Sequence, residues 1–310
     1  MAIRFTFITS LSLGIFLISS LIVYIFGDFF YLKIDQNIVF HISNGQAAHK
    51  IITQLQRKKI IRNQYIPKLV TSNKYLSENL KAGRYQVTTF DNIISLFHKF
   101  YKGNHEYLEF KIIPGTTISE LENNIINNSY IQKNILLTTK DEGVYFPSTY
   151  YYEESQPINI ILNKAKSLMN DKLSYYWENR LLGLPIKNQY ELLVVASLIE
   201  KETDKDFEKG KIARVIYNRL TQKIPLQFCS SVIYILKDKR TLTYNDLKIK
   251  NPYNTYRNRG LPPTPIAYPS ESSLKAAAYP DDGSYLYFTL QKNGTHHFSN
   301  DFKDHKKNKI

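Results

Sequence analysis

The chain carries a single cysteine, Cys229, in 310 residues, so it has no intramolecular disulfide and no cysteine-rich zinc site to lean on. Acidic side chains are also in short supply: 27 Asp and Glu stand against 41 Lys and Arg, a formal net charge of +14. Such a surplus invites a nucleic-acid reading, because clustered cations release counterions from phosphate. The lysines are scattered, however, with short runs only at Arg57-Lys58-Lys59 and Lys306-Lys307. Together with abundant Asn and Ile and 24 Tyr they look like the residue bias of an A+T-rich genome, and no nucleic-acid partner is expected. With 43% hydrophobic and 22% charged residues the chain should fold, and its length suggests about two domains.

Charge is missing altogether from Phe5 to Phe26, a run of 22 residues. Roughly 20 apolar residues cross a hydrocarbon core, so residues 1–27 read as a short cytoplasmic stub and a transmembrane helix. Arg4 and the amino terminus lie before it, whereas Asp28, Lys33 and Asp35 nearly cancel after it, which places the bulk outside the cytoplasm. The rival is a cleaved signal peptide, whose apolar region is shorter and ends in small residues; Gly27-Asp28-Phe29-Phe30 offers no such site.

Two strand-turn-helix patterns follow, 70 residues apart. Ile38-x-Phe40-x-Ile42 alternates as a strand, Asn44-Gly45 turns, and Ile51, Ile52 and Leu55 mark a helix; Leu108-x-Phe110-x-Ile112, Pro114-Gly115 and Ile118, Leu121 and Ile125 repeat the scheme. Both glycines fall where a residue without Cβ takes positive φ. Between them, Ala82–Val87 reads as a strand and Asp91 as the cap of a helix through Ile93, Ile94 and Phe97. Residues 36–104 thus form a small α/β module, either a spacer or a ligand-binding unit, and residues 105–310 a mixed α/β domain.

Dense motifs gather in the second part. Glu142-Gly143-Val144-Tyr145-Phe146-Pro147 sets a carboxylate on a tight turn. A helix from Gln189 to about Thr203 ends in Glu200-Lys201-Glu202. Residues two apart point about 200° away from each other, so the two glutamates do not share a site. Glu202 lies over Leu198 and Ile199, the more apolar stripe, where burial would raise its pKa and suit it to proton donation. The helix alone leaves open that both are solvated residues at a fraying end. A further helix carries Ile212, Val215, Ile216 and Leu220, then Ile224–Gln227 enters a loop. Asn251–Tyr256 and the proline-rich Gly260–Ile266 supply stiff turns with Tyr and Asn, the flat faces and hydrogen-bonding groups that sugars need. A helix is expected over Ser272–Ala278 and a strand over Tyr285–Phe288. His296 and His297 point to opposite sides of a strand, so a shared metal is not expected.

These motifs carry a resemblance. Glu-Gly-x-x-Phe-Pro at 142–147, Ala-Ser-x-Ile-Glu-Lys-Glu-Thr at 196–203, Asn-Arg-Leu at 218–220, Pro-Leu-Gln at 225–227, Tyr-Asn-Thr-Tyr at 253–256, Gly-Leu-Pro-Pro at 260–263 and His-x-Phe-Ser at 296–299 resemble, in order and spacing, the endolytic murein transglycosylases of the YceG-like family. The resemblance implies an α+β protein: an N-terminal transmembrane helix, a LysM-like subdomain and a catalytic domain. It implies a single-pass inner-membrane protein, its bulk in the periplasm, that cuts peptidoglycan glycan strands beside peptidoglycan synthases. It also implies that Glu202 is catalytic, the residue that the helical-face argument selects. Glu142, Gln227, Asn254, Tyr256 and His297 are the candidates for orienting the sugars, with Glu200 structural. No metal or organic cofactor is expected. The competing class is a non-catalytic, membrane-anchored peptidoglycan binder or synthase partner.

The chain departs from the family pattern at several positions. Cys229 stands where an aspartate is usual in Leu226-Gln227-Phe228-Cys229-Ser230-Ser231, Ser148 replaces an aspartate after Phe146-Pro147, and Thr264 and Ser270 replace glycines. Any of these that shapes the groove would lower activity, but Glu202 is retained.

Overall fold

A computed structural model describes residues 2–237 and 241–308; the amino terminus of Met1, used above for orientation, lies outside them. The chain divides into two compact units, Met1–Leu108 with Tyr151–Glu154, and Glu109–Tyr150 with Ser155–Ile310.

The first unit opens with helix α1 (Ala2–Phe30). Its segment Leu13–Phe30, with a mean hydropathy of 2.1, is by length and composition able to cross a membrane, and among the described residues no other helix is. Strand β1 (Ile38–Ile42), helices α2 (Ala48–Arg57), α3 (Tyr65–Val70) and α4 (Lys74–Glu78), strand β2 (Gly83–Val87) and helix α5 (Ile93–Lys102) follow. β1 and β2 pair antiparallel with Phe40 opposite Tyr85. Alternation along both strands sends Phe40, Ile42, Tyr85 and Val87 inward, onto Ile51, Ile52 and Leu55 of α2 and Leu96, Phe97 and Phe100 of α5. Tyr85 stays buried because its hydroxyl donates to the Lys81 carbonyl at 2.7 Å.

The cap of α5 differs from expectation. Asn92, in an extended conformation, accepts from the Ser95 amide and forms a capping box. Asp91, one residue earlier, instead accepts from the Thr88 amide at 2.8 Å and the Ser95 hydroxyl at 2.9 Å, and pairs with Lys99 at 2.6 Å.

The second unit contains α6 (Ile118–Asn127), α7 (Ile158–Glu178), α8 (Gln189–Glu202), α9 (Asp206–Thr221), α10 (Cys229–Leu236) and α11 (Glu271–Ala278), a hairpin of β5 (Tyr287–Leu290) and β6 (His296–Ser299), and α12 (Phe302–Lys307). The chain passes from one unit to the other within strands β3 (Leu108–Lys111) and β4 (Thr149–Tyr152). Gly45 and Gly115 have φ of 70° and 76°, as their turns require. Two boundaries move from the sequence reading: the final hairpin begins at Tyr287 rather than Tyr285, and the segment after Gln227 is helix α10 rather than loop.

Helix α8 is the axis of this unit. Its eight residues Leu192 to Ile199 are all buried, and α7, α9, α10 and α11 pack around it. A helix apolar on all sides is a core helix, so α8 has no single buried stripe. The face argument for Glu202 therefore does not hold. What separates the two glutamates is what meets the helix at its end. Glu200 accepts from the Ser270 amide at 2.9 Å and the Ser273 hydroxyl at 2.6 Å at the start of α11, and lies 3.5 Å from Lys209. Glu202 meets α10.

Two distant motifs also converge. Gly143 has φ of 76°, and a Cβ built on it would lie 2.5 Å from Cβ of Pro265. The tight Glu-Gly turn and the proline-rich loop therefore fit only with glycine at this position.

Candidate active site

The end of α8 and the start of α10 bring Glu202 and Ser230 together. The Ser230 hydroxyl donates to Glu202 Oε1 at 2.6 Å, and Ser230 is itself buried. This leaves Oε2 for another partner. Enclosure of the carboxyl pushes the Glu202 pKa up, against the Ser230 hydrogen bond and the nearby His296 and Lys201, which pull it down.

The turn before α10 is held by the turn at 254–256. The amide of Gln227 donates to the Thr255 carbonyl at 3.0 Å, that of Phe228 to the Thr255 hydroxyl at 2.9 Å, and the Ser231 and Thr255 hydroxyls lie 2.9 Å apart. Gln227 adopts φ of 60°, a left-handed conformation unfavourable for a residue with a side chain. Beneath it, buried Arg219 donates to the carbonyls of Leu286 at 2.6 Å and of Pro225 and Leu226, each at 2.8 Å, and to Gln227 Oε1 at 3.2 Å.

Glu202, Arg219, Gln227, Cys229, Tyr256 and Tyr287 line a hollow of about 390 Å³ in which Glu202 is the sole carboxylic acid among the described lining residues. Phe288, Phe302 and His305 complete an aromatic wall. On another side Glu202 and His296 border a smaller hollow of about 290 Å³ that Glu200 and Asp204 also line, so the two glutamates, expected to have no site in common, both reach its rim. The His296 ring lies 2.7 Å from Glu208 Oε2, and its amide donates to Oε1 at 2.8 Å. Burial alone would raise the Glu208 pKa; these bonds and one from Thr203 outweigh it and hold the pKa below the ordinary value.

The sugar-orienting candidates separate. Gln227 and Tyr256 join Glu202 at the hollow, and the Tyr256 hydroxyl lies 3.1 Å from Cys229 Sγ. Asn254 has no exposed surface; its amide group donates to the carbonyls of Leu247 at 3.0 Å and Ile249 at 2.9 Å, and its oxygen accepts from the Tyr256 amide. Its side chain shapes the turn and spends its hydrogen bonds on the chain's own backbone. Glu142 is likewise fully buried, accepting from the Ile118 amide at 3.0 Å and the Tyr234 hydroxyl at 3.0 Å, with its pKa pushed by burial to about 7. Its carboxyl steadies the start of α6 and does not reach the hollow. His297 pairs with Asp304 at 3.3 Å on the side of β6 opposite His296.

Motif reading did not single out Arg219, Tyr287 and His305, which line the larger hollow, His296, which lines the smaller one, or Ser230, which bonds Glu202. The signal for His296 was present: it is the first residue of His-x-Phe-Ser, and strand alternation puts it on the other side from His297. Ser230 carried none, because its role depends on a contact between segments 28 residues apart.

Fold and site together define an α+β protein with one apolar N-terminal helix and a lone sheltered carboxylic acid in an aromatic-walled hollow. The chain belongs to the YceG-like family, whose profile matches residues 40–310. It is 36% identical over 305 residues to the endolytic murein transglycosylase of Bacillus subtilis, covering 87% of this chain and 83% of that protein. An endolytic murein transglycosylase of Streptococcus pneumoniae is 33% identical over 175 residues, 54% of this chain and 31% of that protein. The crystal structure of a YceG-like protein from Listeria monocytogenes superposes with a TM-score of 0.59 at 27% identity, over 89% of this chain and all of that one.

Proposed function

We propose that this chain is an endolytic peptidoglycan lytic transglycosylase, anchored by α1, that cleaves the bond between N-acetylmuramic acid and N-acetylglucosamine with Glu202 as its acid and base. The observation that carries the reading is the Glu202 carboxyl: its pKa is raised by burial, one oxygen is held by Ser230, and it is the only acid of the larger, aromatic-walled hollow among the described residues.

Ordinary glycosidases set two carboxyls across the bond, one as acid and one as nucleophile or base. A lone acid suits a reaction in which the sugar supplies its own nucleophile. Protonated Glu202 gives its proton to the glycosidic oxygen leaving with C4 of N-acetylglucosamine, and the bond from that oxygen to C1 of N-acetylmuramic acid breaks. The resulting carboxylate then takes the proton of the C6 hydroxyl as that oxygen closes on C1, giving a 1,6-anhydro end; no water is consumed. The attacker is part of the same ring, so proximity replaces a second catalytic group. Ser230, bonded to Oε1, favours Oε2 as the oxygen that carries the mobile proton. Gln227 and Tyr256 contact the sugars, and Tyr287 and Phe302 offer faces for the rings to stack on.

Residues 36–104 serve as a LysM-like subdomain, either a spacer or a ligand-binding unit, and the bulk of the chain faces outside the cytoplasm, next to the synthases that extend the strands. Cleavage at that place ends strand elongation.

Incubation of the full chain with uncrosslinked glycan strands tests the activity. Anhydro-ended products are expected from the native chain and, from Glu202→Gln, at a rate about 10²–10⁴-fold lower. Strands that are bound but left intact by the native chain would make it a binder instead.

A further inference from the structure

The uncharged run Phe5–Phe26 is helical throughout as part of α1, and 22 residues at about 1.5 Å each span about 33 Å, close to the thickness of a hydrocarbon core. Its exit end does not run into a free linker. The Asn63 side-chain amide donates to the carbonyls of Tyr24 and Ile25, both inside the uncharged run. The Arg62 amide donates to Asp28 Oδ2 at 2.7 Å, and its guanidinium to Asp28 Oδ1 at 2.7 Å and to the Tyr31 carbonyl at 3.0 Å. Asp28 is only 1% exposed, and a Cβ on Gly27 would lie 3.0 Å from that guanidinium. The segment 62–63 therefore grips the last turn of the apolar run itself, at the level where a spanning helix passes from hydrocarbon to headgroups.

Helix α3 starts two residues after Asn63 and packs against α1. It buries Ile66 and Pro67 and turns Tyr65 and Leu69 outward, 66% and 69% exposed and one turn apart, with exposed Lys68 between them. Phe29, Phe30 and Tyr31 at the end of α1 are exposed as well. The run Arg57-Lys58-Lys59 and Lys33, whose amide donates to the Ile60 carbonyl, present cations around the same segment. Aromatic rings with an apolar body settle at headgroup depth, and Lys and Arg are drawn to anionic lipid there.

We propose that α3 is an interfacial foot: Tyr65 and Leu69 enter the headgroup layer of the same bilayer that α1 crosses, and the surrounding cations meet anionic lipid. The first unit is then fixed in height and tilt at the membrane surface rather than swinging on a tether. This rests on α1 spanning the membrane.

Tryptophan quenching in nanodiscs containing phosphatidylglycerol tests it. The full chain carries Trp177→Phe to remove its single native indole, and one reporter at a time: Tyr65→Trp, Leu69→Trp or, as a depth control in the middle of the span, Phe16→Trp. Lipids brominated near the headgroup should reduce the emission of the first two, and lipids brominated in mid-chain that of the third. Quenching at Phe16→Trp with both α3 reporters unchanged overturns the foot and leaves the anchor standing. All three unchanged would overturn the anchor and the foot with it.

Discussion

The second unit holds two carboxyls whose pKa values are raised by shelter from water, fully buried Glu142 at the start of α6 and half-buried Glu202 at the end of α8. Glu142 has no exposed surface, and both its oxygens are engaged by the Ile118 amide and the Tyr234 hydroxyl. Glu202 shares one oxygen with Ser230 and borders an open hollow. The same physical cause thus acts on two acids, and access separates them: one braces the fold and the other is free to exchange a proton. A raised pKa alone does not identify a catalytic acid.

The largest effect expected is at Glu202. Replacing it with Gln should lower the rate of anhydro-product formation by about 10²–10⁴-fold, the usual worth of a positioned acid, while the thermal midpoint stays near native. A midpoint collapse together with retained specific activity would reverse the comparison and make Glu202 the structural acid.

Next is Gly143→Ala, where positive φ and the 2.5 Å approach to Pro265 act together. A loss of about 2–4 kcal/mol in unfolding free energy is expected from denaturant titration.

Glu142 should show itself in stability rather than turnover. Its ionisation is harder folded than unfolded, with the pKa moved from 4.5 to about 7. The contribution of this group to stability is therefore greatest below pH 4.5, falls as pH rises from there to about 7, and then levels off, a change of about 3 kcal/mol. Glu142→Gln should flatten that interval in chemical denaturation at a series of pH values, and an unchanged slope would show that the carboxyl does not titrate there.

Smaller again is Ser230→Ala. The hydroxyl donates to Glu202 and favours its charged form, so removing it should move the alkaline limb of the pH–rate profile upward by about one unit or less. The smallest is His297→Ala, half-buried on the far side of β6, for which turnover within about twofold of native is expected; His296→Ala should cost more.

Much of the local structure was legible because local forces set it. β1, α2, α6 and α8 follow from alternation, turn glycines and helical spacing, and the turns at Gly45 and Gly115 have the positive φ that their sequence signals imply. Helix α7 carries the spacing plainly, at Ile158, Ile161, Leu162, Ala165, Met169, Leu173 and Tyr176, but no chemical motif drew attention to it. What motif reading could not supply is contact between distant segments. Asn254 and Glu142 look like ligand-binding polar residues until their hydrogen bonds are seen to end within the chain, on backbone groups and, for Glu142, the Tyr234 hydroxyl as well. Glu202 was reached through a helical-face argument that α8 does not support, since that helix is buried all round; the contact with α10 is the sounder reason.

Arg219 ties together pieces of chain that lie far apart in sequence, the Pro225–Gln227 turn and Leu286 beside the final hairpin, through one rigid planar group with little exposure to solvent. Loosening this fork would leave the buried Leu226 carbonyl without a partner, so the turn and the hairpin side of the hollow are held to one another by a single side chain.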